Sequence, residues 1–144
     1  MADILQEFTV KAAPDKVFAM FSAPEGLDRW WTKSSTGRAK KNAEYTLSFG
    51  PRYDWRAKVT RCIPGSVFEL QMTDAHEDWN GTRVGCQLEP DGTSGTRVRF
   101  YHTGWPQQND HWRVSCYCWA MYLRLLRRYL EHGEFVAYEQ RLDV

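Results

Sequence analysis

The fold is decided by residues 100–133, which read FYHTGWPQQNDHWRVSCYCWAMYLRLLRRYLEHG. Apolar residues recur there at steps of three and four, at Trp112, Cys116, Trp119, Leu123, Leu126 and Leu130. At about 100° per residue these positions share one narrow face of a helix. The apolar face is widened by Val114, Cys118, Leu125 and Tyr129, and the polar face holds Arg113, Tyr117, Arg124, Arg128 and Glu131. The pattern predicts a long helix that another part of the chain covers along most of its length.

The two ends of this helix are also marked. Asn109 or Asp110 can cap the exposed N–H groups at its start. Gly133 suits the left-handed position after its last turn, and His132 lies near the negative end of the helix dipole. The sequence therefore predicts a helix from about residue 109 to residue 132.

The chain before this helix has the pattern of antiparallel strands. Residues 4–11 alternate between apolar and polar side chains, which predicts a first strand. Pro14 then begins a short helix, and PEGLDRWW at residues 24–31 predicts a second one. From about residue 36 to residue 103, alternating runs are separated by the turn signals Gly50-Pro51, Pro64-Gly65 and Pro90-Asp91-Gly92. These features predict a single α+β domain over residues 1–144, in which a curved antiparallel sheet of about six to seven strands wraps the long C-terminal helix.

Composition excludes several classes of protein. The chain has 144 residues, 19 basic and 18 acidic, so its net charge of +1 offers no electrostatic footprint for nucleic acid. No stretch approaches the ~20 apolar residues that a membrane span requires, and the first residues lack the apolar core of a signal peptide. Four cysteines without secretory features are expected to be reduced thiols. We therefore predict a cytoplasmic protein that neither binds nucleic acid nor inserts into a membrane.

Three motifs together resemble a known family. They are FTVKAAPDKVFAMFSAPEGLDRWW at residues 8–31, GTSGTRVRFYHTGW at residues 92–105 and WAMYLRLLRRYLEHG at residues 119–133. In this order the chain resembles the START-like superfamily (SRPBCC or helix-grip proteins). More narrowly, it is similar to bacterial relatives of the C-terminal domain of the activator of heat-shock protein 90 ATPase. One departure is Cys118, which stands before the helix Trp where relatives often have glycine.

The resemblance implies a helix-grip fold and leaves the activity open. The superfamily includes lipid carriers, binders of plant hormones and secondary metabolites, polyketide aromatase/cyclases and co-chaperone domains. Fold likeness alone is a weak argument for any one of these activities.

Aromatic residues make up 15% of the chain and favour an interior lined by large, partly polar rings. We expect a cavity between the sheet and the helix, with a hydrophobic or aromatic ligand bound among nine side chains: Trp31, Phe49, Trp55, Met72, His102, Trp105, Trp112, Trp119 and Leu123. Tyr53 or Tyr101 would help His102 to orient a polar end of the ligand. The alternative is that these side chains simply fill the core.

His102 is the polar residue with the clearest chemical potential. Strand alternation places it with Val98 and Phe100 on the face toward the helix. There it would bind a ligand or act as an acid or base, or it would be a structural histidine with satisfied hydrogen bonds. His76, Glu77 and Asp78 suggest a metal site, but ligands adjacent in sequence rarely converge on one ion, so we predict a solvated loop and no metal.

Three hypotheses of function follow. The first is a binding protein for a small hydrophobic or aromatic molecule, without a cofactor and without identified catalysis. The second is an interaction module that acts on a chaperone or another protein, as the family resemblance implies. The third is a cyclase/dehydratase-like enzyme that uses His102, although no second catalytic group is evident in the sequence.

Overall fold

A computed structural model describes residues 2–144 and has one seven-stranded sheet, one long helix and several short helices. The strands are β1 (Ala2–Val10), β2 (Ser34–Thr36), β3 (Glu44–Ser48), β4 (Asp54–Ile63), β5 (Val67–Asp74), β6 (Arg83–Pro90) and β7 (Thr96–Trp105). The helices are α1 (Pro14–Ser22), α2 (Pro24–Leu27), α3 (Asp110–His132) and a final 3₁₀ helix (Tyr138–Asp143). This element order confirms the predicted α+β helix-grip architecture.

The sheet is antiparallel throughout. Its strand order is β1-β7-β6-β5-β4-β3-β2, so six consecutive strands form a meander and β1 returns to pair with β7. Alternation places the apolar residues of each strand on the face toward α3, where Ile4, Leu47, Val59 and Phe100 are buried. The opposite face carries the charged pairs Arg99–Glu7 and Arg97–Glu89.

The limits of α3 agree with the sequence prediction. Asn109 is the N-cap, and its side chain accepts a hydrogen bond from the backbone N–H of Trp112 at 2.9 Å. The helix ends before Gly133, which has φ 69°. Trp119, Leu123, Leu125 and Leu126 are buried as expected, but the prediction was wrong for Val114, which is 58% exposed. Ser115 is buried instead, because the covered face of the helix lies closer to that position.

The two short helices close one end of the sheet. Pro14 and Pro24 begin them, and Phe18 of α1 packs against Phe68 of β5 with ring centroids 5.9 Å apart. The second helix was predicted to reach residue 31, but it ends at Leu27 and the chain continues in turns. Those turns bury Trp30, whose indole N–H donates to the carbonyl of Met20 at 2.9 Å.

The last residues, 134–144, fold back over the turn that follows α2 and form the segment named here the C-terminal strap. Arg141 is 1% exposed and donates to three backbone carbonyls, those of Val136 at 3.0 Å, Thr32 at 3.1 Å and Asp28 at 2.7 Å. The buried guanidinium therefore ties the strap to the turn after α2, its charge partly balanced by carbonyl dipoles, and the hydroxyl of Tyr138 adds a hydrogen bond to the carbonyl of Phe49 at 3.0 Å. None of the helices in the described part of the chain is long and apolar enough to cross a membrane.

Candidate functional site

An aromatic cluster occupies the space between the sheet and α3. Seven of its rings form one contact network: Trp31, Phe49, Trp55, Trp79, His102, Trp105 and Trp119. Six of them belong to the nine side chains predicted from sequence; Trp79 does not. Its ring centroid lies 4.4 Å from that of His102, 5.0 Å from that of Trp55 and 5.8 Å from that of Trp119. Trp79 therefore connects the sheet side of the cluster to the helix side.

These rings fill most of the interior. Two voids lie beside them, one of about 40 Å³ and one of about 10 Å³. The larger void has room for a few water molecules at most. Larger hollows, of about 370 Å³ and 280 Å³, lie on the outside of the sheet. A third, of about 160 Å³, lies between β1 and α3 and is lined by none of the seven rings. The aromatic residues thus fill the core in this conformation, as the alternative interpretation of the sequence proposed.

The larger void is part of a narrow opening beside α3, named here the tryptophan cleft. It is lined by Trp31, Trp79, Ser115, Cys118, Trp119 and Tyr122. The rings of Trp31 and Trp79 are nearly parallel, with 22° between their planes and centroids 6.5 Å apart. The residues from α3 occupy successive turns of the helix and add two hydroxyls and a thiol to the indole surfaces.

His102 lies behind this cleft in a chain of hydrogen bonds. The indole N–H of Trp119 donates to His102 Nδ1 at 3.1 Å. The ring proton is therefore on Nε2, which donates to Thr82 Oγ1 at 2.8 Å, and the Thr82 hydroxyl donates to the carbonyl of Trp79. Both ring nitrogens therefore have hydrogen-bond partners inside the protein. This is the arrangement expected of a structural histidine, one of the roles that the sequence left open for His102.

Burial also determines the charge of His102. The side chain has no exposed surface, and burial, with a smaller contribution from His111, lowers its pKa to about 3. The imidazole is therefore neutral at pH 7 and has no proton to give as an acid near that pH. This geometry does not favour the enzyme hypothesis based on His102.

The other titratable groups of the tryptophan cleft are also neutral. Burial raises the pKa of Tyr122 to about 12 and raises the pKa of the Cys118 thiol. A thiol held in its protonated form is a poor nucleophile. The cleft therefore offers apolar surface and hydrogen bonds, and no activated nucleophile.

The remaining predicted site residues lie elsewhere. Met72 is 1% exposed in the core, and Trp112 is partly buried in the first turn of α3. Leu123 lines a separate cleft between β1 and α3 with Phe8 and Arg127.

The expectation for the two tyrosines was wrong. Tyr53 is 57% exposed in the turn before β4. Tyr101 neighbours His102 on the strand and so points to the opposite face, where its hydroxyl donates to Glu69 Oε2 at 2.6 Å. Neither can orient a ligand among the aromatic rings.

The loop between β5 and β6 is not simply a solvated loop. Trp79 in this loop is buried, and Asp78 lies with one carboxylate oxygen 2.8 Å from Nδ1 of His111 in α3. His76 lies beside them. Three side chains that can bind a metal ion therefore come together from two segments, and sequence spacing did not show it.

Comparison with known proteins identifies the family of this chain. The sequence model of the family described as activator of Hsp90 ATPase homolog 1-like protein matches residues 11–131. The chain belongs to this family. No curated protein sequence matched it.

Solved structures of similar proteins share the fold over nearly the whole chain. The Aha1 dimer from Colwellia psychrerythraea is 29% identical, with a TM-score of 0.83, covering 93% of this chain and 99% of that one. SSP2350 from Staphylococcus saprophyticus is 22% identical with a TM-score of 0.78, covering 94% and 96%. MLL2253 from Mesorhizobium loti is 17% identical with a TM-score of 0.81, covering 93% and 100%. These comparisons confirm the helix-grip fold and the family of bacterial relatives that the three motifs indicated.

Membership of the family does not identify the site, so the residues themselves must. Trp79, Ser115, Cys118 and Tyr122 line the tryptophan cleft and were not among the predicted site residues. The sequence held a signal for Trp79, since a large indole in a short polar loop seldom remains exposed. The sequence held no such signal for Ser115, because a serine on a helix is found mostly at the surface.

Proposed function

We propose that this protein binds a small, flat aromatic or hydrophobic molecule in the tryptophan cleft. The observation that carries the proposal is that three indole rings and a phenol converge on one opening beside α3. A flat ligand between Trp31 and Trp79 would bury both of its faces against indole surfaces, and such stacked contacts contribute beyond simple area burial.

The size of the cleft requires it to open for such a ligand. Sites for drug-sized ligands enclose about 300–1,000 Å³, whereas this void is about 40 Å³. Trp31 and Trp79 both lie in turns, but Arg141 holds the turn of Trp31 through the carbonyls of Asp28 and Thr32, so Trp79 is the ring better placed to move. Its indole N–H has no hydrogen-bond partner within residues 2–144, so an acceptor on the ligand would satisfy a buried donor.

Polar selectivity would come from α3. Tyr122 is a neutral phenol that can donate or accept a hydrogen bond, and Ser115 offers a second hydroxyl one and a half to two turns away. His102 is not part of this recognition, since both its nitrogens are already bonded to Trp119 and Thr82. We therefore expect ligands with an aromatic body and one or two polar atoms at the edge.

The test is native mass spectrometry of gently purified protein, followed by titration with 1-anilinonaphthalene-8-sulfonate as a flat aromatic probe. Cys118→Leu adds bulk at the cleft and should weaken probe binding at least tenfold. Tyr117→Leu places the same residue at an adjacent position of α3 that is 77% exposed, and should leave binding unchanged. Truncation of Trp119 is a poorer test, because a 2% exposed indole at the centre of the core also supports folding.

Two results would overturn the proposal. One is probe binding that is equal in Cys118→Leu and in the original chain, when circular dichroism shows both folded. The other is the absence of both a co-purified mass and saturable binding of the probe.

A second candidate is action on a chaperone, which the family description suggests. The observation in its favour is that Val114 and Tyr117, three positions apart on α3, are 58% and 77% exposed and form an apolar strip on an otherwise charged helix face. Stimulation of the ATPase of a bacterial heat-shock protein 90 homologue would support it. Val114→Glu should abolish the stimulation and Arg124→Glu should not; absence of stimulation by the original chain would count against it.

A further inference from the structure

His76, Asp78 and His111 form a compact, partly exposed cluster beside Trp105, the last residue of β7. His76 and Asp78 belong to the loop between β5 and β6, and His111 to the first turn of α3. One donor atom from each lies within 4.8 Å of the others. His111 Nδ1 is 2.8 Å from Asp78 Oδ2, and His76 Nδ1 is 3.9 Å from the same oxygen.

We propose that these three side chains bind one divalent transition-metal ion of the zinc type. Two imidazole nitrogens and one carboxylate oxygen form the donor set that zinc and its neighbours in the first transition row accept. Calcium and magnesium prefer oxygen ligands throughout, so two imidazoles disfavour both. Three protein ligands leave at least one coordination position for water or another small ligand.

The distances fit an ion after small movements. Zinc–nitrogen and zinc–oxygen bonds of about 2.0–2.1 Å in a tetrahedron put neighbouring ligand atoms about 3.3 Å apart. The His111–Asp78 pair must therefore widen from 2.8 Å and the His76–Asp78 pair must close from 3.9 Å, each by roughly half an ångström. The two imidazole nitrogens, which lie within 4.8 Å of each other, must approach by up to about 1.5 Å. The side chains of His76 and His111 are 46% and 34% exposed, so both rings have room to turn and an ion can reach them.

Neighbouring groups already orient two of the ligands. Asn109 donates from Nδ2 to Asp78 Oδ2 at 3.4 Å while its Oδ1 caps α3, and Trp105 packs against the edge of the His111 ring with centroids 5.2 Å apart. The imidazoles of His76 and His111 are themselves in contact, with centroids 4.5 Å apart. Hydrogen bonds and packing of this kind around the ligands are what fix ligand orientation in metal sites.

Electrostatics permits a cation here. The amino end of α3 carries a partial positive charge of about half a unit, which opposes an ion, but two carboxylates, Asp78 and Asp110, lie at that end.

The competing explanation is a simple staple, in which the His111–Asp78 hydrogen bond ties the loop to the helix. A staple needs no contribution from His76, whose Nδ1 now accepts a weak hydrogen bond from the backbone N–H of Asp78 at 3.1 Å. A metal site needs His76 as its third ligand. The role of His76 therefore separates the two explanations.

The experiment is titration of the tag-free full chain with Zn²⁺ by calorimetry and with Co²⁺ by visible absorption. We expect one ion per chain, with at least tenfold weaker binding in each of His76→Ala, Asp78→Asn and His111→Ala. Glu77→Gln, which changes an exposed acid in the same loop, and His132→Ala, which removes an exposed histidine at the other end of α3, should bind as the original chain does. Circular dichroism checks that each variant is folded.

Several outcomes would overturn the proposal. Binding that is absent, or unchanged in His76→Ala, would leave only the staple. A thiolate-to-cobalt charge-transfer band would place the ion on a cysteine instead. Because the cleft proposal uses none of these three ligands, failure of the metal site would leave the proposed function standing, and failure of probe binding would leave the metal site standing.

Discussion

The buried, neutral imidazole of His102 makes the stability of this protein depend on pH in a way that one substitution can isolate. Burial lowers its pKa to about 3 in the folded protein, against 6.5 for an unperturbed histidine. Between these two values the unfolded chain binds a proton at this position and the folded chain does not. Folding is therefore destabilised as the pH falls through this window, and the effect is absent above about pH 7.

The magnitude follows from the two pKa values. Between pH 7.5 and pH 4.5, linkage gives a loss of about 2.7 kcal/mol in the free energy of unfolding from this residue alone. With a urea m-value of about 2 kcal/mol per molar for a chain of this size, the midpoint should fall by about 1.3 M. Carboxylates contribute to acid unfolding as well, so the quantity to measure is a difference between two proteins.

The assay is urea unfolding of the original chain and of His102→Gln at several pH values from 4.5 to 7.5. Glutamine keeps a donor and an acceptor for Thr82 and Trp119 but does not titrate. The gap between the two unfolding free energies should change by about 2.7 kcal/mol over this range, in favour of the variant at low pH. The pH dependence that all other titratable groups contribute is nearly the same in both proteins and cancels in the difference.

A difference in unfolding free energy between the two proteins that stays constant from pH 4.5 to pH 7.5 would refute the reasoning. If His102→Gln does not fold, nuclear magnetic resonance of the original chain decides the matter. The His102 ring should remain neutral, with its proton on Nε2, down to pH 4.5. Titration of that ring near pH 6.5 in the folded protein would show that it is neither buried nor bonded as described.

Three further predictions concern stability and are measured by urea unfolding. Gly85→Ala should cost about 1–3 kcal/mol, because a methyl group there would lie 2.7 Å from the carbonyl oxygen of Phe68 on the neighbouring strand; a neutral result would mean that the strands can separate freely. Thr82→Val should cost about 1–3 kcal/mol because it leaves the buried imidazole without its acceptor, and Thr82→Ser should restore most of the loss; equal effects of the two would contradict the hydrogen-bond chain. Arg141→Met should cost about 2–4 kcal/mol and should make the C-terminal strap the first site of limited proteolysis, whereas Arg124→Met, an exposed control, should do neither. Unchanged proteolysis in the Arg141 variant would show that other contacts hold the strap.

Local patterns in the sequence were sufficient for the elements and their faces. The N-cap at Asn109, the left-handed Gly133 and the spacing of Trp119, Leu123 and Leu126 set the length and the covered face of α3. The alternation of apolar residues set which side of each strand faces that helix. The same alternation excluded Tyr101 from the interior, since it neighbours His102 on one strand, so that error was avoidable.

What fills the space between sheet and helix was decided only by the tertiary structure. Whether a cavity remains there depends on a small difference between the volume that the backbone encloses and the summed volume of the side chains. No local sequence pattern measures that difference. Trp79 reaches the centre of that space from a polar loop, and Asp78 meets His111 across 33 residues of sequence, because the path of the β5–β6 loop over the start of α3 brings them together. Arg141 likewise finds two of its three carbonyl partners more than a hundred residues away. Periodicity is a property of neighbouring residues, whereas these contacts depend on how distant segments pack.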